Sequence, residues 1–216
     1  MTPDPIGEAV AVLREGGLVA FPTETVWGLG ADACRAESVD ALFRFKGRAR
    51  QQPLSVLIAG RAALPGHGFS LDPAVEGLAK RFWPGPLTLV LPHAGGFAPG
   101  VAREEDGAVG VRCSSHPLAA ALARRLETQG VGPMTATSLN PSGAPPARTR
   151  AEARLYCSRG DPGAPLPHLL GVPGAEAGGD RESTVLDVAT RPARVLRWGA
   201  IERDELLPVL AEQGLA

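Results

Sequence analysis

Lysine, asparagine and net charge are all scarce in this chain. Of its 22 basic residues only two are lysines, Lys46 and Lys80, and its single asparagine is Asn140. Arginine has replaced lysine elsewhere, so these positions attract interest, although composition alone explains them equally well by chance. The formal net charge of −1 excludes a global basic field for nucleic acid, so any basic patch must be local.

Cysteine and long apolar runs are also scarce. The three cysteines are odd in number and form no CxxC pair, and the N-terminus lacks the pattern of a secretory leader. These features fit a reducing cytosol, and we expect a cytoplasmic location. No apolar run approaches the roughly 20 residues of a membrane span, and the four histidines form no ligand pattern. We therefore expect no membrane association and no metal site made by side chains.

The remaining composition is that of a globular protein. Hydrophobic residues make up 44% and charged residues 21% of 216 residues, enough for a core without disulfides. Strands are predicted at 18–21, 54–58, 86–91, 108–112, 133–137, 182–188 and 193–196. Helices are predicted at 5–15, 38–45, 73–82, 117–129, 151–158 and 202–213.

This order of elements has no strict βαβ repeat. It predicts a single α/β domain over 1–216, with a core of about 5–201, a closing helix at about 202–213, and a twisted, mixed sheet flanked by helices. We expect Asp4, Asp72 and Ser115 to cap three of the helices. The Gly/Pro-rich stretch 160–179 is predicted to be a long surface loop.

The first candidate site is the segment 22–30, PTETVWGLG, which follows an apolar strand. The carboxyl end of a strand is where α/β sheets place ligands. Residues 23–25 supply two hydroxyls and a carboxylate, and Trp27 supplies an apolar wall. The alternative is an ordinary turn in which Gly28 and Gly30 adopt positive φ.

The second candidate is a run of alternating cations, Arg44, Lys46, Arg48 and Arg50. We interpret it as an extended segment that presents its charges on one side. Arginine grips phosphate oxygens as a fork and lysine adds a compact charge, so the run suits a polyphosphate. The alternative is a solvated basic edge.

The third candidate is the segment 135–143, TATSLNPSG, which places hydroxyls around Asn140. Such a turn can offer several donors to a phosphate, although no Walker or GxGxxG pattern is present. The alternative is an ordinary Ser/Asn/Pro/Gly turn. Arg112 and Arg197 end apolar strands, where each needs an anion from a ligand or from a structural acid. Lys80, in contrast, is predicted to lie on the surface of a helix.

Taken in order, these segments resemble the YrdC-type threonylcarbamoyl-AMP synthases. The matching pieces run from about residue 5 to 201 and are FPTETVWGLGADA, KGRARQQPLSVLI, RFWPGPLTLVL, VGVRCSSHP, TATSLNPSG, ESTVLDV and VLRWGAI. The family hallmarks Lys-x-Arg and Ser-x-Asn fall on Lys46, Arg48, Ser138 and Asn140. The resemblance is to the short form, without the extra C-terminal domain of longer relatives.

The resemblance implies a twisted sheet around a large, positively charged cavity. It also implies a reaction in which L-threonine, bicarbonate or CO2, and ATP with Mg2+ give threonylcarbamoyl-AMP and pyrophosphate. Downstream transferase proteins would then move the group to the adenosine beside the tRNA anticodon, giving t6A. A direct contact with tRNA is left open.

The resemblance also implies roles for individual residues. Catalysis falls on Lys46 and Arg48, and Mg2+ is carried by ATP without side-chain ligands. Contacts to ATP fall on Arg48, Gln52, Ser138, Asn140, Thr149 and Arg197. Contacts to threonine fall on Thr25, Trp27, Arg112, Ala136 and Ser183.

Three positions depart from the commoner pattern of the family. Leu57 stands where many relatives have histidine, and Trp27 stands where tyrosine is usual. Pro146 stands near a serine of many relatives, so one hydroxyl contact to ATP is either lost or moved to Thr149.

Two other functions are open at this point. One is a non-catalytic RNA-binding module, although the 5% aromatic content disfavours an open stacking platform. The other is a carbamoyl-adenylate enzyme of the hydrogenase-maturation type, a domain that occurs there within much longer chains.

Overall fold

The structure is a computed structural model that describes residues 4–49, 52–159 and 163–216. Its strands are β1 (Val19–Phe21), β2 (Gly28–Gly30), β3 (Ser55–Leu57), β4 (Leu87–Leu91), β5 (Val109–Arg112), β6 (Met134–Ser138), β7 (His168–Leu169), β8 (Thr184–Asp187) and β9 (Arg194–Arg197). Within the described residues these nine strands form one sheet in the order β7-β1-β2-β6-β3-β5-β4-β8-β9. The pairs β1–β7, β3–β5 and β4–β8 are parallel and the other pairs antiparallel, which confirms the predicted mixed sheet.

Six α-helices flank the sheet in the part of the chain that is described. They are α1 (Pro5–Arg14), α2 (Ala36–Lys46), α3 (Pro73–Phe82), α4 (Pro117–Thr128), α5 (Arg150–Cys157) and α6 (Arg203–Glu212), and short 3₁₀ turns occupy Arg61–Ala63 and Pro65–His67. None of these helices is long and apolar enough to cross a membrane.

Two of the three predicted helix caps are confirmed. The side chain of Asp4 accepts a hydrogen bond from the Gly7 amide, and that of Asp72 accepts one from Val75. The prediction of Ser115 as the cap of α4 is wrong. Pro117 takes the first helical position, so the residue before it, His116, is the cap.

Two apolar cores pack against opposite faces of the sheet. Successive residues of β1 alternate between them: Ala20 belongs to the larger core, whereas Val19 and Phe21 belong to the core that α1 and α4 cover. Each fully buried aliphatic or aromatic side chain contributes about 1.5–3 kcal/mol by leaving water. The sheet is therefore held from both sides, and its register is set by this alternation.

The alternative of a simple turn at 28–30 is wrong. Gly28 and Gly30 lie in β2, opposite Phe21 and Val19, and neither has a positive φ. A Cβ atom on Gly28 would lie 2.8 Å from the Phe21 ring, so the missing side chain makes room for that ring. The predicted loop 160–179 is also partly wrong, since its described part contains β7, which pairs with β1.

Candidate functional site

A cavity of about 250 Å³ lies over one face of the sheet. Its floor is made of alternate residues of neighbouring strands: Ser55 and Leu57, Thr88 and Val90, Gly110 and Arg112, Ala136 and Ser138, and Ser183 and Val185. Parts of the segment 22–30 and the end of β9 form its walls. The three candidate segments of the sequence therefore meet at one cavity.

The predicted site residues fall into three groups in the structure. Those that line the cavity are Trp27, Arg48, Arg112, Ala136, Ser138, Ser183 and Arg197. Those that are buried and contact lining residues are Thr25, Lys46 and Asn140. Gln52 is exposed and Thr149 is the N-cap of α5, and neither is among the lining residues. The ATP contacts assigned to Gln52 and Thr149 stay predictions.

The Lys46 ammonium organises the turn after β6. Lys46 is only 3% exposed, and its Nζ donates to the carbonyl of Ser138 at 2.5 Å, the carbonyl of Asn140 at 3.0 Å and Asn140 Oδ1 at 2.8 Å. Three acceptors match the three N–H groups of an ammonium. Ser138 Oγ donates to the same Oδ1 at 2.8 Å, and Asn140 Nδ2 donates to the Ala144 carbonyl at 2.5 Å. The rare lysine and the single asparagine thus form one network.

The charge state of Lys46 is balanced between two effects. Burial first, and then the charge of Arg48, lower the pKa of Lys46 to about 7, while Glu182 opposes them. The three oxygens around Nζ favour the charged form. The network therefore depends on the protonated form of Lys46, whose pKa of about 7 lies close to neutral pH.

The interpretation of the cations as an extended run is wrong. Arg44 and Lys46 belong to helix α2, and Arg50 lies outside the described residues. Lys46 continues the buried helical row of Val39 and Leu42, whereas Arg44 is exposed. Helical periodicity, not strand alternation, thus separates these charges.

Arg48 follows the helix and lines the cavity. Its Nη1 donates to Thr137 Oγ1 at 3.2 Å and its Nη2 to the Pro53 carbonyl at 3.3 Å. Its Nε is buried without a hydrogen-bond partner, and no acid among the described residues pairs with it. Arg48 therefore lines the cavity without an ion-pair partner among the described residues, although the charge of Glu182 acts on it at longer range.

Arg112 lies at the other end of the cavity floor, opposite Leu57 in the pairing of β3 with β5. It is 8% exposed, and its Nη2 donates to Thr25 Oγ1 at 2.6 Å and lies 3.1 Å from Glu24 Oε1. The sequence left open a ligand anion or a structural acid for Arg112, and the structure supplies the acid Glu24. Its Nε is buried and has no partner among the residues described.

Ser183 and Arg197 meet at the β8–β9 side. Ser183 Oγ contacts Thr88 Oγ1 at 2.9 Å and accepts from Arg197 Nη2 at 3.2 Å. Arg197 also pairs with Glu182 at 3.0 Å. These contacts fix both side chains at the wall of the cavity.

Sequence reasoning missed two residues of this site and did not pair the carboxylate of Glu24 with Arg112. Glu182 and Arg103 line the cavity, and Glu24 pairs with Arg112 behind it. Arg103 is held by Asp106 and Asp187, which raise its pKa. Asp187 is far from Arg103 in the sequence, so no local signal indicated their pairing. Glu24 lies in the first candidate segment, and Glu182 is the first residue of the motif ESTVLDV. The sequence therefore contained a signal that could have found both residues.

The predicted surface position of Lys80 is confirmed. Its side chain is 60% exposed, and Nζ lies 2.8 Å from Glu76 one helical turn earlier. The two lysines of the chain therefore lie in opposite environments. Lys46 is buried in a hydrogen-bond network, whereas Lys80 is exposed to solvent.

The charges around the cavity are mostly compensated. Its charged lining residues in the described chain are Arg48, Arg103, Arg112, Arg197 and Glu182. Three of the arginines have acidic ion-pair partners, whereas Arg48 has none among the described residues. Within the described residues no three His, Cys, Asp or Glu side chains are grouped to hold a metal ion.

A mixed α/β sheet that gathers arginines and hydroxyls around one cavity has the architecture of a site suited to a small anionic ligand. Comparison with known proteins identifies its family. A Sua5/YciO/YrdC family model, described as "Telomere recombination", matches residues 11–199, and the chain belongs to this family.

Two relatives of known name align with nearly all of the chain. It is 37% identical over 205 residues to a threonylcarbamoyl-AMP synthase of Pyrococcus abyssi, across 94% of this chain and 56% of that protein. It is 38% identical over 222 residues to one of Bacillus subtilis, across 100% of this chain and 60% of that protein. The chain thus spans less than two thirds of the length of these two relatives.

The solved structure of a relative also matches this fold. The crystal structure of P. abyssi Sua5 complexed with L-threonine matches with a TM-score of 0.83 and 35% identity, covering 98% of this chain and 59% of that one. The expected family and fold are therefore confirmed.

Proposed function

We propose that this chain is a threonylcarbamoyl-AMP synthase. It would join L-threonine, bicarbonate or CO2, and ATP into threonylcarbamoyl-AMP and pyrophosphate. The observation that carries this proposal is the cavity lined by two arginines, Arg48, which has no ion-pair partner among the described residues, and Arg112, whose described partners all contact Nη2. The named relatives and the threonine-bound neighbour support the same reaction.

The two arginines contact the sheet at different points. Arg48 donates to the Pro53 carbonyl, whereas the backbone of Arg112 lies opposite Leu57, four residues further along the chain. At 3.3 Å per residue these backbone points are at most roughly 13 Å apart. The amino acid is assigned to the Arg112 end and the triphosphate to the Arg48 end.

The chemistry needs positioning and charge neutralisation more than a protein nucleophile. The amine of threonine attacks CO2 and loses a proton to give a carbamate. A carbamate oxygen then attacks the α-phosphorus of ATP, and the bond to pyrophosphate breaks. Arg48 would stabilise the charge that develops on the phosphates, and Lys46 would hold the turn of Ser138 and Asn140 that faces them.

The proposed roles of the residues at the threonine end rest on the contacts described for the cavity. Arg112 would bind the carboxylate, held by Thr25, and Ser183 would orient the amino acid from the opposite wall. Trp27 would pack on the side chain of threonine, with Ala136 on the cavity floor. Arg197 would face ATP.

The donor set of the cavity fits a Mg2+ ion carried by the nucleotide. The one carboxylate among the described lining residues, Glu182, is already paired with Arg197. Mg2+ commonly binds through substrate phosphates with few protein ligands. When bound with ATP it would neutralise phosphate charge beside Arg48. Transfer proteins acting downstream and a cytoplasmic location belong to the same proposal.

The test is threonine-dependent release of pyrophosphate. Purified protein is incubated with ATP, Mg2+ and bicarbonate, with and without L-threonine, and pyrophosphate is followed. Release only with threonine supports the proposal, and its absence rules it out. Release driven by carbamoyl phosphate would favour the hydrogenase-maturation type of reaction, and tRNA binding without turnover would favour the RNA-binding module.

A further inference from the structure

Glu24 lies behind Arg112 rather than in the cavity. Its side chain is 15% exposed and is not among the cavity-lining residues, whereas Arg112 is. Its Oε1 is 3.1 Å from Arg112 Nη2, and its Oε2 accepts a hydrogen bond from Ser114 Oγ. The carboxylate thus connects the guanidinium to the loop that precedes α4.

The other partners of Arg112 hold the same nitrogen. Nη2 donates to Thr25 Oγ1, which in turn contacts Thr23 Oγ1 at 2.8 Å. Thr23 Oγ1 donates to the Val26 carbonyl at 2.6 Å. One side of the guanidinium is therefore fixed by a carboxylate and a chain of hydroxyls, while its buried Nε has no partner in the described chain.

Glu24 itself is held by its surroundings. The amides of Gly178 and Gly179 donate to the carbonyls of Thr23 and Thr25, at 2.8 and 2.9 Å. A Cβ atom on Gly178 would lie 3.0 Å from Glu24 Cα, so the two backbones are in close contact. Burial raises the pKa of Glu24, but Arg112 and Ser114 outweigh it and keep that pKa below its ordinary value. The group is an ionised and immobilised carboxylate at neutral pH.

We propose that Glu24, supported by Ser114, is a positioning residue that orients Arg112 for the carboxylate of the amino acid substrate. The inference rests on the proposed function. A donor that is already fixed loses less conformational entropy when its ligand binds. Glu24 therefore raises affinity for the amino acid without touching the reacting atoms.

A competing role predicts the opposite sign. If Glu24 occupied the guanidinium in place of a ligand carboxylate, its removal would strengthen binding of the amino acid. The geometry favours positioning, since Glu24, Thr25 and Thr23 all contact Nη2, which leaves Nη1 without a partner among the described residues. The guanidinium thus retains donors for a ligand.

The experiment compares Glu24→Gln, which keeps the shape and removes the charge, with the wild type in the pyrophosphate assay. We expect the KM for L-threonine to rise about tenfold, because the side chain of Arg112 must then be ordered when the substrate binds, with kcat and the KM for ATP unchanged. Ser114→Ala should shift the same KM in the same direction by about threefold. Glu76→Gln, which removes an exposed carboxylate paired with Lys80, is the matched control and should change nothing.

Several results would overturn the inference. An unchanged KM for threonine in Glu24→Gln refutes positioning, and a lowered KM assigns the competing role. A joint fall of kcat, melting temperature and affinity for both substrates assigns a structural role instead. If Glu24→Gln does not fold, Ser114→Ala decides by the same criteria. A wild type without threonine-dependent turnover refutes the proposed function and this inference together, whereas an active wild type with the same KM for threonine as Glu24→Gln refutes the inference alone.

Discussion

Arg48→Gln tests whether the charge of Arg48 serves the nucleotide. In the structure Arg48 has two hydrogen bonds to neutral oxygens and, among described residues, no acidic partner. Losing a charge-assisted hydrogen bond to a phosphate costs about 1.5–3 kcal/mol, which raises the KM for ATP roughly 10- to 150-fold. The two neutral hydrogen bonds contribute about 1 kcal/mol each, and relief of an unpaired buried charge offsets much of that loss. The melting temperature should therefore shift by less than about 4 °C.

The assay for Arg48→Gln is pyrophosphate release against ATP concentration, together with thermal unfolding. Arg44→Gln is the matched control because Arg44 is exposed on the same helix end and does not line the main cavity. A marked loss of stability with an unchanged KM for ATP would contradict the reasoning. It would show that Arg48 holds β3 in place rather than binding the nucleotide.

Three further changes test other parts of the site. Lys46→Met should lower the melting temperature by about 10 °C, because three buried oxygens lose their donor at about 1 kcal/mol each, whereas exposed Lys80→Met should have almost no effect. Thr149→Val should cost about 1 kcal/mol by removing the cap of α5. A raised KM for ATP would support the predicted contact of Thr149 with the nucleotide, and an unchanged KM would contradict it. Although burial opposes it, the partners of Glu24 hold its folded pKa below 4.5, so its stabilising effect is complete above pH 4.5 and is lost as pH falls through the folded pKa. Acid unfolding of Glu24→Gln should therefore depend less steeply on pH, and equal slopes would contradict this.

Local patterns predicted the elements of the fold better than the contacts of the site. Apolar periodicity with capping residues placed the six helices and seven of the nine described strands, but β2 and β7 were predicted to be loops. The resemblance placed Lys46 with Asn140, 94 residues away, which no local pattern indicates. The helix predicted at 38–45 already contained Arg44, but the alternation of the cations suggested an extended segment, whereas the helix continues through Lys46. The pairing of Glu24 with Arg112 depends on packing between distant loops, so sequence spacing carried no sign of it.

The distribution of acids around the arginines has a physical reason if the proposed substrates are correct. An amino acid is a zwitterion, so a subsite whose arginine is already balanced by Glu24 binds its carboxylate without attracting polyanions in its place. A triphosphate carries several negative charges, and a subsite whose Arg48 has no ion-pair partner among the described residues attracts it strongly. The two subsites share one cavity floor, so ATP bound at the Arg112 end would block the amino acid. The ion pair of Glu24 with Arg112 thus directs the triphosphate to the Arg48 end of the cavity and the amino acid to the Arg112 end. We therefore expect ATP to compete with threonine more strongly in Glu24→Gln than in the wild type.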